Sequence, residues 1–123
     1  MTPFGIKVRA LRDQRGISLK KMAEDLAISS AYLSALEHGK RGLPSWSLVE
    51  QICSYFNIIW DEAEELHRLA AISHPKVTVD TSGLSPTATE YANILSREIR
   101  TLPEARLQEM LAYLKQSTPK RPG

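Results

Sequence analysis

The chain has 123 residues, of which 42% are apolar types and 24% charged, with 16 Lys/Arg against 14 Asp/Glu and a formal net charge of +2. That length allows one ordinary domain plus an appendage, and that balance excludes a disordered polyampholyte and a membrane-embedded chain. Cys53 is the single cysteine, which rules out an internal disulfide framework or a cysteine-based zinc cluster. No charged-then-apolar-then-small pattern opens the sequence, so no signal peptide and a reducing, cytoplasmic setting are expected.

The charge is unevenly spread. Residues 1–42 hold eight bases (Lys7, Arg9, Arg12, Arg15, Lys20, Lys21, Lys40, Arg41) against four acids, a net +4. Residues 43–75 hold one base, Arg68, against five acids, a net −4, and residues 76–123 come to +2. A positive lobe beside a negative one points the first toward a polyanion.

Five short helices are expected in residues 1–75. The first runs from about Pro3 to Gln14, with Phe4, Val8, Leu11 and a less regular Ile6 at helical spacing, and Gly16 stops it. Ser18 caps a second helix carrying Leu19, Met22, Ala23 and Leu26. Ser29 caps a third, with Ala31, Leu33 and Leu36, closed by Gly39 and Gly42. A fourth follows Pro44-Ser45, with Leu48, Val49, Ile52, Cys53 and Phe56 on one side and Asn57 as a left-handed terminator. Asp61 is expected to cap a fifth, with Ala63, Leu66, Leu69 and Ala70 inward and His74-Pro75 at its end.

Residues 76–84 read as a linker, where Val77-Thr78-Val79 alternates like a short strand and Thr81-Ser82-Gly83 like a turn. Ser85-Pro86 then opens a helix whose stripe is Ala88, Tyr91, Ala92, Leu95 and Ile99, with Ile94 beside it. Thr101-Leu102-Pro103-Glu104 has the form of a capping box for a last helix striped by Leu107, Met110, Leu111 and Leu114. Residues 117–123 form a tail expected to be disordered. The fold class is therefore all-α: a five-helix domain over 1–75, a linker, and a helical pair over 85–116. Two helices alone bury too little to fold. Tyr91, Leu95, Ile99, Leu107, Met110, Leu111 and Leu114 are accordingly assigned to dimerisation, with docking of another protein or packing on the same chain as alternatives.

Leu19 to His38 has the skeleton of a helix-turn-helix. A steep crossing needs a small residue where the backbones approach, which is Ala23, and buried aliphatics on the second helix, which are Leu33 and Leu36. The free face then presents Ser30, Ala31, Ser34, Ala35 and His38, with Tyr32 at an edge.

Residues 4–70 resemble the lambda repressor-like (Cro/Xre-type) helix-turn-helix family. The resemblance is carried by Val8-Arg9-Ala10-Leu11-Arg12, Gly16-Ile17-Ser18, Met22-Ala23, Ile28-Ser29, the run Tyr32 to Lys40, and Pro44. It implies an ion pair between Arg12 and Glu37. It places Ser30, Ala31 and Ala35 toward bases, and the free face adds Ser34 and Tyr32. His38 and Lys40 match its positions near phosphates; Leu19, Lys20, Ser29 and Arg41 are read beside them as phosphate or positioning contacts, and the amides opening the second helix are expected to face a phosphate. The sequence departs from the family in three places: Leu19 stands where glutamine is common, Ala27 where glycine is common in the turn, and alanines stand at the reading positions 31 and 35. Ala31 and Ala35 are too short for bidentate base contacts, each of which discriminates by about 1–3 kcal/mol. Affinity is then expected to lean on phosphates and specificity partly on DNA shape.

The resemblance implies a dimeric repressor of double-stranded DNA reading a palindromic operator. An antitoxin-like autoregulator, or an interaction module without DNA binding, is the alternative. No enzyme activity, cofactor or metal site is expected. His38, His67 and His74 show no ligand spacing with one another or with Cys53, and Glu62, Glu64 and Glu65 sit where acids favour a helix start. Trp46 and Trp60 are expected to be packed, and Cys53 to fill core space.

Overall fold

Thr2 begins the first helix. Its hydroxyl accepts from the Gly5 N–H, and Pro3 takes the first helical position, where a missing N–H is harmless. The result is α1, Pro3–Arg15, ended by Gly16 at φ +64. The computed structural model describes residues 1–40, 42 and 44–119. Arg41, Leu43 and residues 120–123 lie outside the described residues, so the expected contact of Arg41 and the end of the expected tail are not described.

Serine oxygens open the next three helices by accepting the N–H three residues on: Ser18 for α2 (Leu19–Asp25), Ser29 for α3 (Ser30–His38) and Ser45 for α4 (Trp46–Phe56). Asn57 ends α4 at φ +55. The apolar stripes converge on one core of Phe4, Val8, Leu11, Met22, Ala23, Leu33, Leu36, Leu48, Val49, Ile52, Cys53, Phe56, Ile58, Leu66 and Ala70. Ile6 is exposed instead, because its position rotates out of the Phe4–Val8–Leu11 stripe.

The fifth helix, α5 (Trp60–Ala71), starts before Asp61. Trp60 turns to φ +53 and Ile59 takes the extended cap position, so Asp61 lies inside the first turn and caps nothing. The chain leaves the helix at Ile72, ahead of His74-Pro75, and Ser73 turns inward. Its hydroxyl accepts from the Phe4 N–H at 2.9 Å and donates to the Leu69 carbonyl at 2.6 Å, tying the end of α5 to the start of α1.

The chain divides into two compact units after Val77. Val77 to Val79 form no strand; Asp80 accepts from the Ser82 N–H in a turn, and Gly83 sits at φ +77. Ser85 caps α6 (Pro86–Glu98). A 3-10 turn at Ile99–Thr101 follows, then α7 (Glu104–Ser117), so Ser117 belongs to a helix and not to the tail. The capping box does not form. It would require Leu102 to be helical, but a residue before proline is pushed extended, and Leu102 sits at φ −79, ψ 131. Thr101 Oγ1 donates to the Glu98 carbonyl instead.

No residue from 78 to 119 is buried. Ala88, Ala92, Leu95, Leu102, Leu107 and Met110 are half-buried, while Tyr91, Ile94, Ile99, Leu111, Tyr113 and Leu114 are exposed.

Candidate nucleic-acid interface

Two helices and a tight turn set the geometry. Ala23 is buried where α2 meets α3, and Met22, Leu33 and Leu36 fill the space around it. Leu26 ends α2, Ala27 follows at φ +59, and the Ile28 N–H reaches back to the Ala23 carbonyl at 3.0 Å. Ala27 therefore holds the left-handed conformation that glycine would take without strain, at a cost of about 1–2 kcal/mol.

A second clamp holds α3 from behind. Arg12 Nη2 donates to Glu37 Oε1 at 3.0 Å and Oε2 at 3.2 Å, and Nε donates to Oε2 at 3.3 Å. Both side chains are buried. The Glu37 charge is thus neutralised locally, and breaking one side of such a pair strands the other charge. Gly5 lies so close beneath that a Cβ there would land on the Glu37 carbonyl oxygen. That same carbonyl accepts from the Thr2 N–H at 3.1 Å. The start of α1 and the end of α3 are in backbone contact, which leaves α3 little freedom to tilt.

The outward side of α3 carries exposed Ser30, Ala31 and His38, and half-buried Ser34 and Ala35. Tyr32 is half-buried and packs against the core, so its ring is engaged from one side. Ser29 uses its oxygen to cap α3 at Tyr32 N, 3.0 Å away. His38 Nδ1 lies 2.9 Å from the Ser34 carbonyl, which can only accept, so Nδ1 carries a proton and Nε2 is left for another partner. Leu19 is half-buried against the core; it orients α2 by apolar contact and brings no polar group to a phosphate.

Seven of the eight bases of residues 1–42 lie among the described residues, and they divide by role. Arg12 is used by Glu37, and Lys21 pairs with Asp25 at 3.0 Å. Arg15 donates to the Phe56 and Leu11 carbonyls and lies 5.2 Å from the Phe56 ring centroid. It joins α1 to α4, a role its place in a charge count did not reveal. Lys7, Arg9, Lys20 and Lys40 form no ion pair among the described residues; Lys20 lies in the first turn of α2 and Lys40 just beyond α3. The compensating acids Asp61, Glu62, Glu64 and Glu65 all sit on α5.

Asp25 was not singled out by the sequence, yet it ties α2 to α4. The Tyr55 hydroxyl donates to Asp25 Oδ2 at 2.6 Å. That bond, then the bond from Lys21, holds the Asp25 carboxyl below its ordinary value. Burial first, and the Asp25 bond second, push the Tyr55 phenol up to about 12.

Cys53 and His67, set aside for lack of ligand spacing, come together with Glu50, which the sequence did not single out as a ligand: the three place one ligand-type atom each within 4.8 Å of one another. Trp46 and Trp60 are not packed inside; they are 70% and 80% exposed. Each opens a helix at the surface, and Trp46 stacks on the His67 ring at 5.2 Å.

A family model described as a helix-turn-helix domain matches residues 3–66. The HTH-type transcriptional regulator RghRB of Bacillus subtilis (strain 168) is 33% identical over 61 residues, covering 50% of this chain and 44% of its own length. The HTH-type transcriptional repressor RghR of the same strain is 31% identical over 61 residues, covering 50% of this chain and 45% of its own. The chain therefore matches less than half the length of these curated relatives. No solved structure matches it.

Proposed function

This chain belongs to the helix-turn-helix domain family, and on that footing we propose that it is a regulator of transcription that binds double-stranded DNA through the major groove. The reading is carried by one observation: α3 presents an exposed polar and small-residue face while its other side is fixed by the buried Arg12–Glu37 pair. Ser30, Ala31, Ser34 and Ala35 meet base edges, with Tyr32 at the rim. Lys20 and Lys40 grip phosphates on either side, and His38 Nε2 serves the same backbone. Ser29 and Leu19 set the angle of the helix pair.

The protein acts as a homodimer and as a repressor, in the cytoplasm. A single module offers a small footprint, and two-fold pairing doubles it over half-sites about 34 Å apart on a palindromic operator. The second unit supplies the pairing surface, because its helices leave apolar side chains uncovered. One of the curated relatives is named a repressor, which favours that sign of regulation. The same uncovered helices also support a second reading, an antitoxin-like autoregulator that docks another protein there.

Binding to a random-sequence duplex, followed as salt is raised, tests the proposal. Each phosphate contact contributes a slope of about −0.9 in log K against log salt, so affinity should fall steeply. Absence of binding even at low salt would leave an interaction module and contradict DNA recognition.

A further inference from the structure

We propose that Glu50, Cys53 and His67 form a binding site for a borderline-soft divalent cation such as Zn(II), joining α4 to α5. The inference is independent of the DNA reading. Glu50 and Cys53 stand three residues apart on α4, and His67 faces them from α5. Glu50 Oε1 lies 2.6 Å from His67 Nε2, and the thiol completes a trio of ligand atoms within 4.8 Å. Zinc bonds of about 2.0–2.3 Å to O, N and S imply edges of about 3.3–3.6 Å between ligand atoms. The trio reaches that spacing by closing on the sulfur side by at most about 1.5 Å and opening by about 0.7 Å between carboxylate and imidazole.

The donor chemistry favours this class of ion. One thiolate, one imidazole and one carboxylate suit zinc, whereas magnesium and calcium require oxygen ligands. Charge also closes: a thiolate and a carboxylate balance a dication, and the imidazole binds neutral. On binding, the Cys53 thiol proton leaves to solvent and the sulfur lone pair joins the metal.

The surroundings are organised for the task. Cys53 is buried, but it and Glu50 border a surface groove shared with Ser54, Asn57 and Ala63, which gives a route in from solvent. Trp46 stacks on the His67 ring with the planes 26° apart, fixing the imidazole plane. Three protein ligands leave a fourth position for water, as in an open tetrahedral site. Glu50 and His67 could instead serve as a simple ion pair, and the experiment separates the two.

The tag-free full-length chain is stripped with a chelator and titrated with Co(II). The expected result is thiolate-to-cobalt charge-transfer absorption saturating at about one ion per chain, abolished by Zn(II), with Zn(II) also raising Tm. Cys53→Ser should remove the band. His67→Gln and Glu50→Gln, both at partly exposed side chains, should each weaken binding by about 10-fold or more, and they keep the test decisive should the serine variant fold poorly. His74→Gln should leave cobalt binding unchanged. Absence of the band, saturation at about half an ion per chain from sulfur shared between two chains, or a band unaffected by both surface substitutions would overturn the site.

Discussion

Ala27 concentrates the local physics of the helix pair. Its φ of +59 places a Cβ against the following carbonyl, at about 1–2 kcal/mol of strain. Ala27→Gly relieves that strain and costs about 0.4–1 kcal/mol in added freedom of the unfolded chain. A net stabilisation of about 0.5 kcal/mol is expected in chemical denaturation; destabilisation would mean the turn relaxes elsewhere. This residue was legible through the family resemblance, which puts glycine at that position of the turn. Ser18, Ser29, Ser45 and Ser85 were legible for a different reason: each cap bond spans three residues of sequence. Asp61 and Thr101 were misread because a neighbour overruled them, the left-handed turn at Trp60 in one case and the extended Leu102 before Pro103 in the other. Glu50, Cys53 and His67 could not be grouped in advance, since their meeting depends on how α4 lies across α5.

At the scale of elements, the contacts between helices decide what the sequence could not. The stripe positions of α1, α3 and α4 followed from period alone, and the structure buries Phe4, Val8, Leu11, Leu33, Leu36, Leu48, Val49, Ile52 and Phe56 as expected. The bond from Tyr55 to Asp25 was invisible, being a pairing across 30 residues. Its pH signature has a definite sign. Asp25 is lowered in the fold, so its contribution is present above the ordinary carboxylate range near pH 4 and is lost as pH falls through it. Tyr55 is raised to about 12, so its contribution holds below about pH 10 and fades as pH climbs from there toward about 12. Tyr55→Phe should move the Asp25 titration, followed by NMR, back up toward the ordinary carboxylate value. An unmoved midpoint would show that Lys21 alone holds Asp25 down.

Across the whole molecule, two features define the proposed action. Charge is segregated: Arg12, Arg15 and Lys21 are committed to partners within the chain, Lys20 on α2 and Lys40 just beyond α3 form no ion pair among the described residues, and four of the five acids of residues 43–75 sit on α5. The second feature is the uncovered apolar surface of α6 and α7. Tyr91 and Leu111 are each 52% exposed, so Tyr91→Glu with Leu111→Glu costs little in an isolated chain and much at an interface, where the charges would be desolvated. Sedimentation should show a dimer for the native sequence and a monomer for the double variant. A native monomer at all concentrations, or an unaffected dimer, would move the pairing surface elsewhere.

Reading of bases by α3 is the central claim, and Ala31 tests it most directly. Duplexes selected from a random pool by the native protein and by Ala31→Arg should differ. The variant gains a side chain able to bond guanine bidentately, worth about 1–3 kcal/mol of discrimination, and should shift the preferred bases within each half-site while leaving the rest of the site intact. Identical selected sequences, bound with identical affinity, would place α3 outside the groove.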